Sequence, residues 1–388
     1  MIIKKIIALV LVLCSVFCLF GQQISAESVS ADNSVPDFKF DCRSAILMEA
    51  GTGRVLYEMN ADEALPPASV TKVMTLLLVM EAIEQGKISY SDMVTASAHA
   101  CSMGGSQIYL EEGEQMSVED MIKSVVIASA NDAALALAEH VAGTEEAFVK
   151  MMNEKASALG LTATHFENTN GLDDSVQNHV TSARDIAIMS RELIKHKKIT
   201  DYSSIWMDTV RNGAFGLTNT NRLVRFYKGA TGLKTGSTAK AKFCITATAE
   251  RDGMSLICVI MAAPTRDIRN AAASSLLDWG FANYGVYKSE AQALEPVRVI
   301  GGVRTKCSLE YGDFSCVVEK SDISGISCEI EMSESVPAPV KYGEKLGRVV
   351  YKLGDKEIGS ADILASETVE KINFGGLMLK MLSKMAIA

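Results

Sequence analysis

Apolar residues run almost unbroken from Ile6 to Phe20, and beyond them the alternation of hydrophobic and polar positions changes character several times. The opening run follows Lys4 and Lys5 and precedes Ile24-Ser25-Ala26, the layout of a secretory signal peptide over residues 1–26. It is short for a membrane span, which weighs against the alternative of an uncleaved anchor helix. After a polar linker, segments 42–49 and 55–59 read as a hairpin turned at Gly51-Thr52-Gly53. Pro66-Pro67 then stops the chain before 73–80, where only Thr75 is polar. Apolar nearly all round, this stretch predicts a buried helix. Helical patterns follow near 118–129, 132–142, 145–159 and 182–195. Segments 243–249 and 255–261 read as strands turned at Arg251-Asp252-Gly253, and 271–279 as a helix. Strands, a block of helices, then strands again predict an α+β domain.

From about Glu295 the texture changes. Segments 297–303, 315–319, 328–332 and 347–353 are short strand candidates between Gly, Asp and Lys turns, which predicts a small all-β module ending near Ser366. Phe374, Leu377, Met378, Met381, Leu382 and Met385 then mark one face of a helix, with Lys380 and Lys384 towards the other side. A terminal helix docked on the β module is one reading. So large a stripe beside so small a module favours the other, an amphipathic helix lying in a membrane interface.

Composition narrows the choices. With 388 residues, 48% hydrophobic and 22% charged, the chain is globular in character and long enough for two domains. The net charge of −9 becomes −11 once Lys4 and Lys5 are removed, which argues against nucleic-acid binding. Cys14 and Cys18 lie in the signal run without the small residues a lipid anchor needs. The other seven cysteines include no Cys-x-x-Cys pair, which argues against a zinc ribbon. Cys244 and Cys258 sit in apolar runs and read as buried free thiols. Cys316 and Cys328 could pair, and the sequence leaves that open.

The chemistry is found by elimination and then by motif. No two of the five histidines stand four apart on a helix, so no His-Glu-x-x-His zinc site exists. Neither a Gly-x-Ser-x-Gly elbow nor a phosphate-binding Gly-x-x-x-x-Gly-Lys loop occurs. What remains is Ser69-Val70-Thr71-Lys72, at the start of the buried helix. The spacing puts both functional side chains on one helical face. A serine hydroxyl needs an adjacent base, and a lysine can serve once burial or nearby positive charge lowers its pKa. Alone the motif reads rather as a helix cap followed by a surface lysine, since many helices contain this spacing by chance. Two further elements change the balance: Ser129-Ala130-Asn131, followed by Asp132 as a cap residue, and Lys234-Thr235-Gly236-Ser237-Thr238, ahead of the strand at 243. Singly these read as a capped helix start and a turn before an edge strand. Together and in this order they form the set shared by class A β-lactamases and penicillin-binding proteins, with Ala130 where Asp is usual.

With these motifs the chain resembles the low-molecular-mass penicillin-binding proteins, serine-type D-Ala-D-Ala carboxypeptidases, from about Cys42 onward. The resemblance extends to Met152-Asn153-Glu154-Lys155-Ala156, Leu159-Gly160-Leu161 and Asn170-Gly171-Leu172-Asp173-Asp174. Glu63-Ala64 and Ala241-Lys242-Phe243 depart from the common pattern, away from the catalytic motifs. The resemblance implies a DD-peptidase/β-lactamase-like α+β domain, an antiparallel sheet packed with helices, over residues 35–285. A β domain over 293–367 and an amphipathic anchor over 368–388 would follow. It implies Ser69 as the acylated serine, Lys72 as proton acceptor, and Ser129 and Asn131 on the active-site loop. Lys234 would hold the substrate or its proton network. Thr235, Thr238 and a basic residue, for which Arg269 is the candidate, would bind the substrate carboxylate. Arg269 could otherwise be a solvated cap arginine. The N–H groups of Ser69 and Ser237 would hold the oxyanion, with Gly236 between the motif's binding residues.

Implied partners are peptidoglycan pentapeptides ending in D-Ala-D-Ala, β-lactams and the outer face of the cytoplasmic membrane, with no cofactor or metal. A serine β-lactamase, a DD-endopeptidase or transpeptidase, and a non-catalytic wall-binding protein are the competing readings. The extra β module and tail weigh against the first, and the intact motifs weigh against the last.

Overall fold

The computed structural model describes residues 38–173 and 176–385. The signal segment 1–26 and Asp174 lie outside the described residues, as do the side chains of Lys380, Met381 and Lys384. All elements below belong to the unit Phe40–Ala388.

The expected hairpin, β1 (Ser44–Glu49) and β2 (Val55–Met59), opens a five-stranded antiparallel sheet. The other strands are β3 (Ala230–Thr238), β4 (Lys242–Arg251) and β5 (Met254–Ala263), and the order is β2-β1-β5-β4-β3. Both faces are covered. Ile46 and Met48 join the main core with the buried helix α1 (Lys72–Glu84). Between them, Leu47 faces the opposite side: a Cβ on Gly280 of a later helix would come within 2.7 Å of its Cδ2. Strands covered on both faces carry continuous apolar runs, as in Ser44–Glu49 and Met254–Ala263.

The helices on the α1 side are α2 (Val118–Ile127), α3 (Asn131–Ala142), α4 (Glu145–Ala158), α5 (Ala183–Leu193) and α6 (Lys197–Ser203). Ser117, Thr144 and Ser182 cap α2, α4 and α5 through their hydroxyls. Helix α2 stops short of the expected end because Ser129 takes φ of 63°, a left-handed conformation that turns the chain. Further on come the short α7 (Leu223–Phe226) and α8 (Arg266–Asn283). Helix α8 begins five residues before the expected start, because Thr265 caps a first turn too polar to show in the apolar pattern.

Two expectations need correction. Asp132 is not the cap of α3. Ala130 occupies that position without a side-chain bond, and Asp132 sits inside the first turn. Its fully buried carboxylate accepts from the N–H groups of Ile108 at 3.1 Å, Leu110 at 3.1 Å and Ala133 at 2.9 Å. It thereby straps residues 108–110 to the helix bearing Asn131. The segment Lys234–Thr238 is no turn but the end of edge strand β3. Its glycines and lysine interrupt the apolar alternation that would reveal a strand.

The β module begins at β6 (Tyr284–Ser289), paired with β7 (Phe314–Glu319). A four-stranded sheet (Leu309–Glu310, Lys356–Ala365, Lys345–Leu353, Ile326–Met332) and a three-stranded one complete it. Phe314 stacks on Tyr351 with ring centroids 4.0 Å apart. Arg54 donates to the Val317 carbonyl and Lys320 to that of Phe281 at 2.7 Å, joining module and catalytic part. All seven described cysteines are free, including Cys316 and Cys328. The last helix, α9 (Phe374–Met385), leaves Phe374, Leu377, Met378, Leu382 and Met385 exposed, which is not the docked-helix arrangement. Among the described residues no helix is long and apolar enough to cross a membrane.

Asp132→Ala leaves three buried N–H groups without an acceptor, so it should cost about 3 kcal/mol or more. Urea unfolding of wild type and variant measures the difference; equal midpoints would show the strap to be dispensable.

Candidate active site

The nucleophile candidate stands on a tight turn. Ala68–Thr71 forms one 3-10 turn running into α1, and Ala68 is held at φ of 49°. This places Lys72 Nζ 2.9 Å from Ser69 Oγ. The lysine is fully buried, and its other two partners are the Asn131 Oδ1 atom at 2.5 Å and the Asn170 carbonyl at 2.9 Å. Burial pushes its pKa well below the usual lysine value; the Lys234 cation adds to this, and Asp132 opposes it. A neutral amine has two N–H groups and one lone pair. Two carbonyl oxygens accept the N–H groups, and the lone pair is left for the serine hydroxyl.

A second serine–lysine pair lies close by. Lys234 Nζ donates to Ser129 Oγ at 2.7 Å and to the Thr235 carbonyl at 3.0 Å. Burial lowers its pKa to about 7, helped by the Arg269 guanidinium. Asn131 is fixed from below, its Nδ2 donating to the Gly104 carbonyl at 2.6 Å.

Strand β3 lies directly against the nucleophile turn. A Cβ on Gly236 would come 2.8 Å from both the Pro67 carbonyl oxygen and the Ser69 nitrogen, so only glycine fits there. Thr235 donates to Thr220 at 2.8 Å, and Ser237 is exposed. Ser69, Ser129, Thr235, Gly236, Ser237 and Arg269 all border one cavity of about 720 Å³. Thr238 does not. Its hydroxyl donates to Asp173 and accepts from the Ala241 N–H at 2.9 Å. Arg269 is buried rather than solvated, donating to the Cys244 carbonyl at 3.2 Å and to Asn270. Burial lowers its pKa to about 10, which leaves it cationic at neutral pH.

Three supporting residues have no role in the motif reading. Asn170 supplies the backbone carbonyl on Lys72. Gly171, at φ of 86°, lets this loop touch the turn: a Cβ there would lie 1.8 Å from the Ala68 carbonyl oxygen. His179 is buried; its Nδ1 accepts the Glu167 N–H at 3.0 Å, so the ring proton sits on Nε2, 2.7 Å from Thr71 Oγ1. Thr71 in turn donates to the Ala68 carbonyl at 2.8 Å. The chain Asn168-Thr169-Asn170-Gly171 carries a turn signature, but nothing local says where that turn docks.

A serine beside a buried lysine base, with a second serine–lysine pair on the same cavity, defines an enzyme of acyl transfer. The model of the D-alanyl-D-alanine carboxypeptidase family matches residues 28–265, and that of the penicillin-binding protein 5 C-terminal domain matches residues 283–371. D-alanyl-D-alanine carboxypeptidase DacF of Bacillus subtilis (strain 168) is 42% identical over 86% of this chain and 87% of its own length. DacC of Escherichia coli (strain K12) is 34% identical over 89% of both. The crystal structure of penicillin binding protein 5 from Haemophilus influenzae superposes with a TM-score of 0.76 at 33% identity, covering 87% of this chain and all of that one. Penicillin-binding protein D2 from Listeria monocytogenes, in its ampicillin-bound form, gives 0.59 at 32% identity over 64% of this chain and 100% of that chain. The chain belongs to the D-alanyl-D-alanine carboxypeptidase family.

Burial lowers the His179 pKa from 6.5 to about 4. The folded state therefore binds fewer protons than the unfolded state between these values. The stabilisation is complete above pH 6.5 and is lost as pH falls through about 4. Urea midpoints measured from pH 7 to pH 4 should fall steeply for wild type and less for His179→Gln; parallel curves would contradict this.

Proposed function

We propose that this chain removes the terminal D-alanine from peptidoglycan stem peptides ending in D-Ala-D-Ala, through an acyl-enzyme on Ser69. The observation that carries this is the buried Lys72 amine, 2.9 Å from Ser69 Oγ, with carbonyl oxygens on its other two sides. Lys72 takes the hydroxyl proton as Ser69 attacks the carbonyl between the two D-alanines. The N–H groups of Ser69 and Ser237 receive the oxyanion. Lys234 and Ser129 form the route by which a proton reaches the departing amine. Thr235 and Arg269 hold the terminal carboxylate, Arg269 chiefly through its field because its donors are partly engaged. Thr238 acts from behind the strand, through Asp173. Water then hydrolyses the ester. A β-lactam enters the same site and acylates the same oxygen. A β-lactamase needs a carboxylate placed to drive deacylation, and none lines this cavity.

The same reading places the protein outside the cell membrane after export, on the outer face. We set the boundary between catalytic part and β module at Tyr284, where β6 leaves the catalytic sheet's neighbourhood to pair with β7. The exposed stripe residues Phe374, Leu377, Met378, Leu382 and Met385 of α9 support an in-plane anchor.

Ser69→Ala should abolish the covalent penicillin adduct seen by intact-protein mass spectrometry and lower D-Ala release by about 10³-fold or more. A persisting adduct would remove Ser69 from the mechanism. Lys72→Arg should be nearly as damaging, because arginine keeps its proton at neutral pH; near-normal acylation would demand another base. Deleting residues 373–388 should release the mature protein from membranes without changing its rate on a short soluble peptide. Fractionation tests this: a truncated protein that stays bound would point to an N-terminal anchor, and a full-length protein already soluble would remove the role of α9.

A further inference from the structure

Helix α4 opens with two adjacent acids, and they behave differently. Glu146 is exposed, and its carboxylate accepts from its own backbone N–H and from the capping Thr144. It supplies the negative charge that suits the start of a helix. Glu145 turns inward and is only 16% exposed. Its Oε1 atom accepts both the Thr169 N–H, at 3.1 Å, and the Thr169 hydroxyl, at 2.9 Å. Thr169 is fully buried, so without this carboxylate two donors would be left unpaired. The other carboxylate oxygen, Oε2, lies 3.7 Å from His99 Nε2, and the opposite edge of that ring lies 3.5 Å from Glu139. The imidazole therefore does not compete for the oxygen that holds Thr169.

Thr169 precedes the residue whose carbonyl sits on Lys72. The turn carrying both takes its shape from its own side chains. Asn168 Oδ1 accepts the Gly171 N–H at 2.7 Å, and Asn168 Nδ2 donates to the Leu172 carbonyl at 2.7 Å. Asn170 Oδ1 accepts the Leu172 N–H at 2.9 Å. Such bonds fix conformation and not position. Thr169 is tied to other elements: its carbonyl accepts the Thr75 hydroxyl of α1 at 2.6 Å, while Glu145 of α4 takes its two donors. With Thr169 held at its N–H, hydroxyl and carbonyl, the planar peptide joining it to Asn170 is set. The next carbonyl, that of Asn170, accepts from Lys72 Nζ at 2.9 Å.

We infer that Glu145 is a positioning residue for acyl transfer: by clamping Thr169 it holds the Asn170 carbonyl on Lys72 and keeps the lysine pocket shut. Released from Glu145, the turn moves off the amine and water reaches it. The burial that lowers the lysine's affinity for a proton is then partly lost. Lys72 keeps its proton to higher pH, and one of the two acceptors that aim its lone pair at Ser69 is gone.

The inference rests on Lys72 as the base, and its test is separate from the test of that reading. Full-length mature wild type, Glu145→Ala, Glu145→Gln and Glu146→Ala are reacted with penicillin between about pH 5 and about pH 10, the span over which a lysine of lowered pKa titrates. Intact-protein mass spectrometry gives the second-order acylation rate, and thermal melts report folding. Glu145→Ala should lose about tenfold or more at neutral pH, the scale of a lost hydrogen bond to a charged group. The acid limb of its pH–rate profile should move to higher pH. Glu145→Gln keeps an acceptor oxygen for Thr169, so it should recover most of the rate with the limb unmoved, and Glu146→Ala should match wild type. Should Glu145→Ala fail to fold, Thr169→Val removes one of the two donors at nearly constant shape; it should lose about threefold and shift the limb the same way. An unchanged profile in the folded variant would overturn the inference. So would a lower rate with the limb unmoved, which marks a merely structural role, and so would a glutamine variant as damaged as the alanine one. Near-normal acylation of Lys72→Arg would instead overturn the reading of Lys72 as the base.

Discussion

The site depends on one buried amine. Lys72 is removed from water, set between Ser69 Oγ and two carbonyl oxygens, and placed near the second cation of Lys234. Desolvating an ammonium is expensive, and losing the proton is the cheaper response. A lysine at the surface would hold its proton through the neutral range and be useless as a base. Burial therefore creates the catalyst, and the rest of the fold has to keep this pocket closed.

It does so from several directions. The apolar helix α1 surrounds the lysine stem with core. Asp132 ties residues 108–110 to α3 and so fixes the helix that presents Asn131. The loop at Asn170 closes the pocket only because Gly171 has no side chain to strike Ala68. His179 and Thr71 then fasten the turn itself. Edge strand β3 forms the other wall, pressed so close that position 236 must be glycine. Strain at Ala68 and Ser129, both at positive φ, is held by this surrounding packing.

How much of this could be read beforehand follows from how local each signal is. Ser69 and Lys72 are three residues apart, and a helical repeat brings such residues together with no knowledge of the rest of the chain. Lys234 was recognisable only because its motif accompanies theirs in order. Its strand was not, because Gly232, Gly236 and Lys234 itself break the alternation. Asn170 and His179 reach the nucleophile turn from about a hundred residues away, through a backbone carbonyl and a ring nitrogen. No periodicity announces either. Asp132 has the composition of a cap and the job of a long-range strap. Arg269 looks surface-prone by type, yet the packing of α8 on the sheet buries it.

The central claim is that Lys72 gives up its proton far more readily than a surface lysine does. NMR of the mature protein with labelled lysine side chains, with the Lys72 resonance assigned by comparison with Lys72→Arg, measures this directly across a pH titration. The account predicts that Lys72 loses its proton well below 10.5, the ordinary lysine value. A Lys72 amine still protonated at the pH where surface lysines begin to titrate would contradict it.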